Sequence, residues 1–254
     1  MNNSTLIKTK DELDIMREGG KILSQIFDEL EKLVVIDSNS LEIDKYAEFL
    51  CKKNNVKPAF KGYHGFPYTI CANLNEVVVH GFCNKIKFKR GDIFGLDMGI
   101  IYKGYYLDKS STILIGEVGD EIKKFVEKTK LSMLQGIKSA IPGNTVGHIS
   151  ESMREGLIGD DFRLMKHFVG HGIGKSLHEP PEIPGEGMSS GEGMKLQEGM
   201  VLAIESISVM GSTNEYDIAK DEWTVFTKDK KYLSALFEET VIVSSSGSEI
   251  ITSN

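Results

Sequence analysis

Two runs of strand-forming residues, IFGLDMGIIY and YYLDKSSTILI, are separated only by Lys103-Gly104. A connection that short makes the pair a hairpin. Because side chains alternate along a strand, the parity of the loop fixes which face each residue takes. An even loop sets 102 opposite 105, 99 opposite 108 and 97 opposite 110. Asp97 and Asp108 then share a face as diagonal neighbours, with backbones about 7–8 Å apart. An odd loop would throw them onto opposite faces, and the even register is the expectation. Two aspartates near a turn can simply be solvated. Here their neighbours Leu96, Met98, Leu107 and Ile113 indicate a mostly buried sheet, where a carboxylate needs a compensating partner. Converging side chains at this spacing suit a metal pair about 3.5–4 Å across.

Further polar residues stand in similar apolar surroundings. Glu205 lies in VLAIES, and the pair Glu238-Glu239 in SALFEETVIV; a charge in such a strand is usually paired or metal-bound. Parity alone leaves open which of Glu238 and Glu239 points inward. His171 and His178 lie in FVGHGIGKSLHE, an odd separation that a straight strand would point oppositely. Gly172 and Gly174 must bend the chain if both serve one site, and they oppose a helical zinc motif. His80 closes NEVVVHGF at a glycine, where a capping or half-buried histidine is the alternative. Asp97, Asp108, His171, Glu205 and Glu238 together suit two divalent ions: four carboxylates carry about −4 and the ions about +4. Without metal the cluster repels itself and some of its acids must take up protons.

Bulk properties exclude several other classes. A net charge of −7 without a long basic block argues against nucleic acid as a primary partner, because phosphate binding needs clustered Lys and Arg. The stretch KIKFKR at 85–90 reads as a solvated turn. No apolar run reaches the roughly 18 residues of a membrane span, and the first residues lack a signal-peptide core. Cys51, Cys71 and Cys83 are odd in number and lack CxxC spacing. They fit reduced thiols in a cytoplasmic protein.

Helical patterns cover residues 11–35 and 41–54, followed by strand-like segments near 68–72, 76–80, 92–102 and 105–115. The order then restarts, with helices at 119–140 and 145–157 and strands near 163–170, 200–209, 222–227 and 235–243. Gly19 and Gly20 interrupt the first helix where another element can approach closely, and GEGMSSGEG at 185–193 reads as a loop. Two helices followed by several strands, twice, imply an α+β fold with pseudo-two-fold related halves, about 10–115 and 119–245, in one catalytic domain over 1–254. The site is expected where the halves meet.

Taken in order, KGYHGFPYTICANLNEVVVHG, GDIFGLDMGI, YLDKSS, GHGIGKSLHEPP, LQEGMVLAIES, DEWTVFTKD and SALFEETVIV resemble the type I methionine aminopeptidases over residues 8–252. The resemblance implies the pita-bread (creatinase/aminopeptidase-like) fold with a central curved, mainly antiparallel sheet. It selects Glu238 over Glu239. It places two divalent metal ions (Co, Mn, Fe or Zn) on Asp97, Asp108, His171, Glu205 and Glu238, with Asp108 and Glu238 bridging. Catalytic roles fall on His80, His178 and Glu205, and a methionine pocket on Tyr63, Phe66, Cys71, His80 and Trp223, with Phe60, Leu177 and His178 adjoining. The implied reaction removes the N-terminal methionine of nascent polypeptides, preferring a small second residue, with a metal-bridging hydroxide as nucleophile. A cytoplasmic monomer is expected, without membrane or direct nucleic-acid role; a transient ribosome contact is compatible with this, although no ribosome-binding segment is identifiable.

The chain departs from the family at Phe60, Lys109, Leu177, Ser206 and Glu239. None of these removes an expected ligand. Ser206 in place of proline is expected to loosen the strand that aims Glu205, and Phe60 with Leu177 to reshape the pocket. Two competing functions share the fold. A proline-specific aminopeptidase usually carries an additional N-terminal domain, and fewer than a hundred residues precede Asp97. A pita-bread binding protein usually loses metal ligands, and all five are kept.

Overall fold

The structure is a computed structural model that describes residues 6–253. Helix α1 (Lys10–Glu31) begins at a capping box, in which Thr9 accepts from the Glu12 backbone and the Glu12 carboxylate accepts from the Thr9 backbone. Two orphan N–H groups are satisfied there at once. Helix α2 (Ser40–Lys53) starts under Asn39, whose side chain accepts from the Glu42 backbone. The short strand β1 (Lys57–Pro58) leads to β2 (Cys71–Leu74) and β3 (Val77–Val79), and then to the long hairpin β4 (Ile93–Tyr102) and β5 (Tyr105–Leu114). Helices α3 (Asp120–Ser139) and α4 (Val146–Glu155) open the second half. Strands β6 (Phe162–Leu164), β7 (Gly170–Gly172), β8 (Glu179–Ile183), β9 (Val201–Met210), β10 (Tyr216–Ile218), β11 (Val225–Thr227), β12 (Ser234–Ser244) and β13 (Gly247–Ile250) complete it.

The main sheet runs β1-β4-β5-β12-β9-β7-β8, with β2, β13 and β6 attached to β4, β12 and β9. Strands β10, β11 and β3 form a second, small sheet. Every described pairing is antiparallel. The β4–β5 hairpin has the even register: Tyr102 faces Tyr105, Gly99 faces Asp108 and Asp97 faces Ser110.

The first half of the sheet packs against α1 and α2 around Phe27, Phe94, Leu96 and Leu107. The second packs against α3 and α4 around Phe125, Met153, Leu202 and Phe237. Close approach at the paired glycines of α1 is real: a Cβ on Gly20 would lie 2.0 Å from the Ile251 carbonyl oxygen. Substitution there would push the C-terminal segment off the helix.

The halves meet at β5 and β12, which pair directly only at Ser110–Glu238 and Lys109–Glu239. On either side of that contact a threonine takes over from the backbone. Thr240 Oγ1 accepts from the Asp108 N–H at 3.0 Å and donates to the Asp108 carbonyl at 2.8 Å. Thr112 Oγ1 does the same for Leu236, at 2.9 Å in both directions. The seam therefore splays while the backbone groups of Asp108 and Leu236 stay paired, as buried amides require.

Some elements differ from expectation. The segment 163–170 is not one strand: β6 and β7 both pair with β9, but residues 166–169 leave its edge. Strand β8 reads EPPEI; its prolines disguise it in sequence and are tolerated because it lies at the sheet edge. Strands β1, β10 and β13 have two to four residues each, too few for alternation to show.

Candidate active site

The chain's parity builds the site. Asp97 faces Ser110, Ser110 faces Glu238 and Glu238 faces Glu205, so one row crosses β4, β5, β12 and β9. Directly opposed residues share a face. Asp108, two residues before Ser110, joins that face beside the row. His171 faces Ala203, two residues before Glu205, and joins it from β7. All five expected metal-site residues line a single cavity of about 740 Å³. The donor atoms of Asp108, His171 and Glu238 lie within 4.8 Å of one another.

These acids crowd one another. Burial raises the Asp108 pKa to about 8, with Glu205 adding repulsion, and raises Glu205 to about 7. Burial and the surrounding carboxylates hold Asp97 and Glu238 well above the usual range. Asp97 Oδ1 and Ser110 Oγ find no hydrogen-bond partner among the described residues. An orphaned oxygen on Asp97, beside the buried Asp108 and Glu238 and the partly buried Glu205, fits the donor set of a cation site. His171 fits as well. Burial, then the neighbouring His178, lowers its pKa to about 4, so the ring is neutral at pH 7. Its Nδ1 lies 2.9 Å from the Gly172 carbonyl; an Nδ1–H donating there leaves the Nε2 lone pair free for a metal.

The bend between the two histidines is present. The β7–β8 register shifts between His171 and Gly172, and a Cβ on Gly172 would sit 2.1 Å from the Pro180 carbonyl oxygen. The two rings end 4.4 Å apart, nearly perpendicular. The Tyr63 hydroxyl is 3.0 Å from His178 Nδ1. Burial lowers the His178 pKa and raises that of the Tyr63 phenol, so a protonated phenol meets a neutral ring. A neutral His178 that accepts from the phenol carries its proton on Nε2. Two ion pairs hold this loop: Lys8 Nζ to Glu179 at 2.6 Å and Lys175 Nζ to Glu12 at 3.0 Å.

His80 follows β3 in the left-handed region, with φ of 56°, an uncommon conformation for a side-chain-bearing residue. The Asn73 side-chain oxygen secures it by accepting from the Gly81 N–H at 3.0 Å. Burial, then His178, lowers the His80 pKa to about 4. Trp223 arrives from the small sheet, where Val225 on β11 faces Val79 on β3. The Asp221 carboxylate accepts from the Trp223 and Thr224 N–H groups at 2.9 and 2.8 Å. The indole meets His80 and Phe66 edge-on at 6.0 and 5.2 Å. Phe60, Tyr63, Phe66, Cys71, Leu177 and Trp223 line the same cavity as the acids.

Glu239 and Lys109 face the other way. Lys109 Nζ lies 2.5 Å from Glu239 Oε1, and Thr252 donates to the second oxygen. The expectation for Ser206 is corrected. Its hydroxyl donates to Ser132 Oγ on α3 at 3.1 Å, and its backbone stays in register with Phe237, so it ties β9 down. Sequence reading missed Phe168 and His64, both in the cavity wall. Phe168 meets the His80 ring edge-on at 6.1 Å. It lies in the segment that leaves the β9 edge, a departure that only sheet pairing reveals.

A buried, carboxylate-rich centre at the seam of a pita-bread fold defines a metal-dependent hydrolase. The chain belongs to metallopeptidase family M24, whose model matches residues 14–245. It is 40% identical over 248 residues to the methionine aminopeptidase of Clostridium acetobutylicum, covering 97% of this chain and 98% of that one. The crystal structure of methionine aminopeptidase from Thermotoga maritima matches with a TM-score of 0.94 at 36% identity, covering 98% and 99% of the two chains. The prolidase from Pyrococcus horikoshii matches with a TM-score of 0.77 at 22% identity, covering 65% of that chain; that likeness shows the fold alone.

Proposed function

We propose that this chain is a methionine aminopeptidase that releases the N-terminal methionine from peptides and nascent proteins, using two divalent ions held by Asp97, Asp108, His171, Glu205 and Glu238. The observation that carries the reading is the sharing of one cavity by three buried acids, the partly buried Glu205 and an apolar, sulfur- and aromatic-lined recess. A thioether suits such a recess. The relatives' names point to the same substrate. The oxygen-rich donor set suits Mn²⁺, Fe²⁺ or Co²⁺ at least as well as Zn²⁺. Ions there would supply Lewis acidity, lowering the pKa of water and polarising the scissile carbonyl.

The chain's own groups account for the rest. Tyr63, Phe66, Cys71 and Trp223 exclude water around the methionine side chain, with Phe60 and Leu177 narrowing the recess. The substrate's free α-amine would be held at the ion site that Asp97 and its neighbouring carboxylates build, which favours an exopeptidase over an internal cut. Glu205 takes the proton from the attacking water and passes it toward the leaving amine. His178, with its proton on Nε2, donates to the developing oxyanion. His80 holds the substrate amide and assists the leaving nitrogen. A small second residue, a monomer in the cytoplasm and a transient ribosome contact complete the proposal.

The test is free methionine release from Met-Ala-Ser by metal-stripped protein, before and after Mn²⁺, Fe²⁺ or Co²⁺ is added. Activity should return with metal and be nearly abolished in Asp108→Asn. Metal uptake with cleavage of Ala-Pro peptides instead would favour a proline-specific enzyme, and no metal uptake would leave a binding protein.

A further inference from the structure

A second cavity of about 700 Å³ lies beside the first, and Tyr63 and His64 line both. Its remaining wall comes from the end of α2, the β1 segment, the turn before Tyr63, and Ile101 and Tyr106 near the tip of the β4–β5 hairpin. Lys52, Lys57 and Lys61 are exposed along it, and Glu48 is its only carboxylate. Glu48 pairs with Lys52 at 3.1 Å and with Lys61 at 2.8 Å. Lys57 has no ion-pair partner among the described residues. Three lysines against one glutamate leave a surplus of about two positive charges, on a chain whose net charge is −7. Between the cavities His64 is held in the left-handed region, with φ of 45°, flanked by glycines that turn the chain. Strained backbone of this kind concentrates at functional sites.

We infer that this groove binds the part of the substrate chain beyond its second residue and favours acidic side chains there. The inference rests on the proposed aminopeptidase activity. An aminopeptidase holds its substrate's first residue at the closed end of the cleft, so the rest of the chain must leave across the rim. The Tyr63–His64 ridge is a rim with a second cavity directly beyond it. An extended chain advances about 3.3 Å per residue, so third to fifth residues reach past a ridge two side chains wide. The surplus charge then selects among them through solvent-exposed pairs, each of which contributes modestly.

The experiment compares kcat/KM for Met-Ala-Ser-Asp-Asp and Met-Ala-Ser-Lys-Lys in the metal-loaded enzyme, with Met-Ala-Ser as reference. The acidic peptide should be favoured about fivefold at low ionic strength, and the preference should shrink in 0.5 M salt as screening grows. In Lys57→Glu with Lys61→Glu the ratio should fall to unity or invert. Both positions are exposed, and circular dichroism checks that the variant folds. Equal kcat/KM for the two peptides in the parent enzyme overturns the inference, as does a preference that the reversal leaves intact. Failure to release methionine even from Met-Ala-Ser would instead remove the proposed activity, so the two failures are distinguishable.

Discussion

Neighbouring residues on the same two strands meet opposite fates at the seam of this molecule. Asp108 and Glu238 point into the cleft among other acids, and burial raises their pKa values far above the usual carboxylate range. Lys109 and Glu239, each one residue further on, point toward the helices and neutralise each other at 2.5 Å, with the ammonium 5.4 Å from the centre of the Phe27 ring. The back face is electrostatically complete within the chain, whereas the cleft face is complete only with added cations. A fold holds such unpaired acids in place because the surrounding structure over-determines them. The threonine bridges at Asp108 and Leu236, the paired charges behind them and the helices beyond are that surrounding structure.

The comparison can be broken from either side. Asp108→Asn should lower methionine release in metal-loaded enzyme by about a thousandfold, the scale of losing a group that acts on the transition state, while leaving the thermal midpoint of metal-free protein unchanged or higher. A lower midpoint would mean that Asp108 stabilises the fold. On the back face, Lys109→Met leaves the largely enclosed Glu239 without its cation and should cost about 2 kcal/mol in urea unfolding. Lys109→Met combined with Glu239→Leu should recover most of that loss, because a buried ion pair is replaceable by apolar packing. If the double variant is no better than the single, the pair is not acting as a closed unit.

Acidity offers a subtler test. The cleft carboxylates have folded-state pKa values raised above their unfolded ones, to about 8 for Asp108 and about 7 for Glu205. Between roughly pH 4 and 8 the native state therefore binds more protons than the unfolded chain, and this contribution to stability falls as pH rises. Metal-free protein should lose several degrees of thermal midpoint between pH 5 and pH 8 from these groups. Mn²⁺ should remove that trend and Asp97→Asn should flatten it; an unchanged slope in both would place the titration elsewhere. The smallest effect belongs to Ser206→Ala, which removes one buried hydroxyl contact to α3 and should cost about 1 kcal/mol with little change in kcat.

Legibility from sequence followed the range of the interaction. The β4–β5 register was readable because it depends on two adjacent runs and a two-residue loop, and its parity places Asp97 and Asp108 together. Helix α1 was readable from its periodicity and ends four residues earlier than expected, at Glu31 rather than 35. Strand β8 was hidden by Pro180 and Pro181. The break between β6 and β7 was hidden because both halves look equally strand-like and only their shared partner β9 shows the gap.

By itself, the chain determined its two helix-pair-and-strand halves, the hairpin parity and the presence of acids in apolar strands. These follow from local periodicity and from the cost of burying charge. Tertiary structure decided what local pattern leaves degenerate. Pairing of β12 with β5 and β9 turned Glu238 rather than Glu239 into the cleft, a choice that equal side-chain chemistry cannot make. The bulge at Gly172 brought His178 to His171, and a separate small sheet carried Trp223 to His80. Each of these depends on a partner strand or loop that is distant in sequence, so no window of the chain contains the information that fixes it.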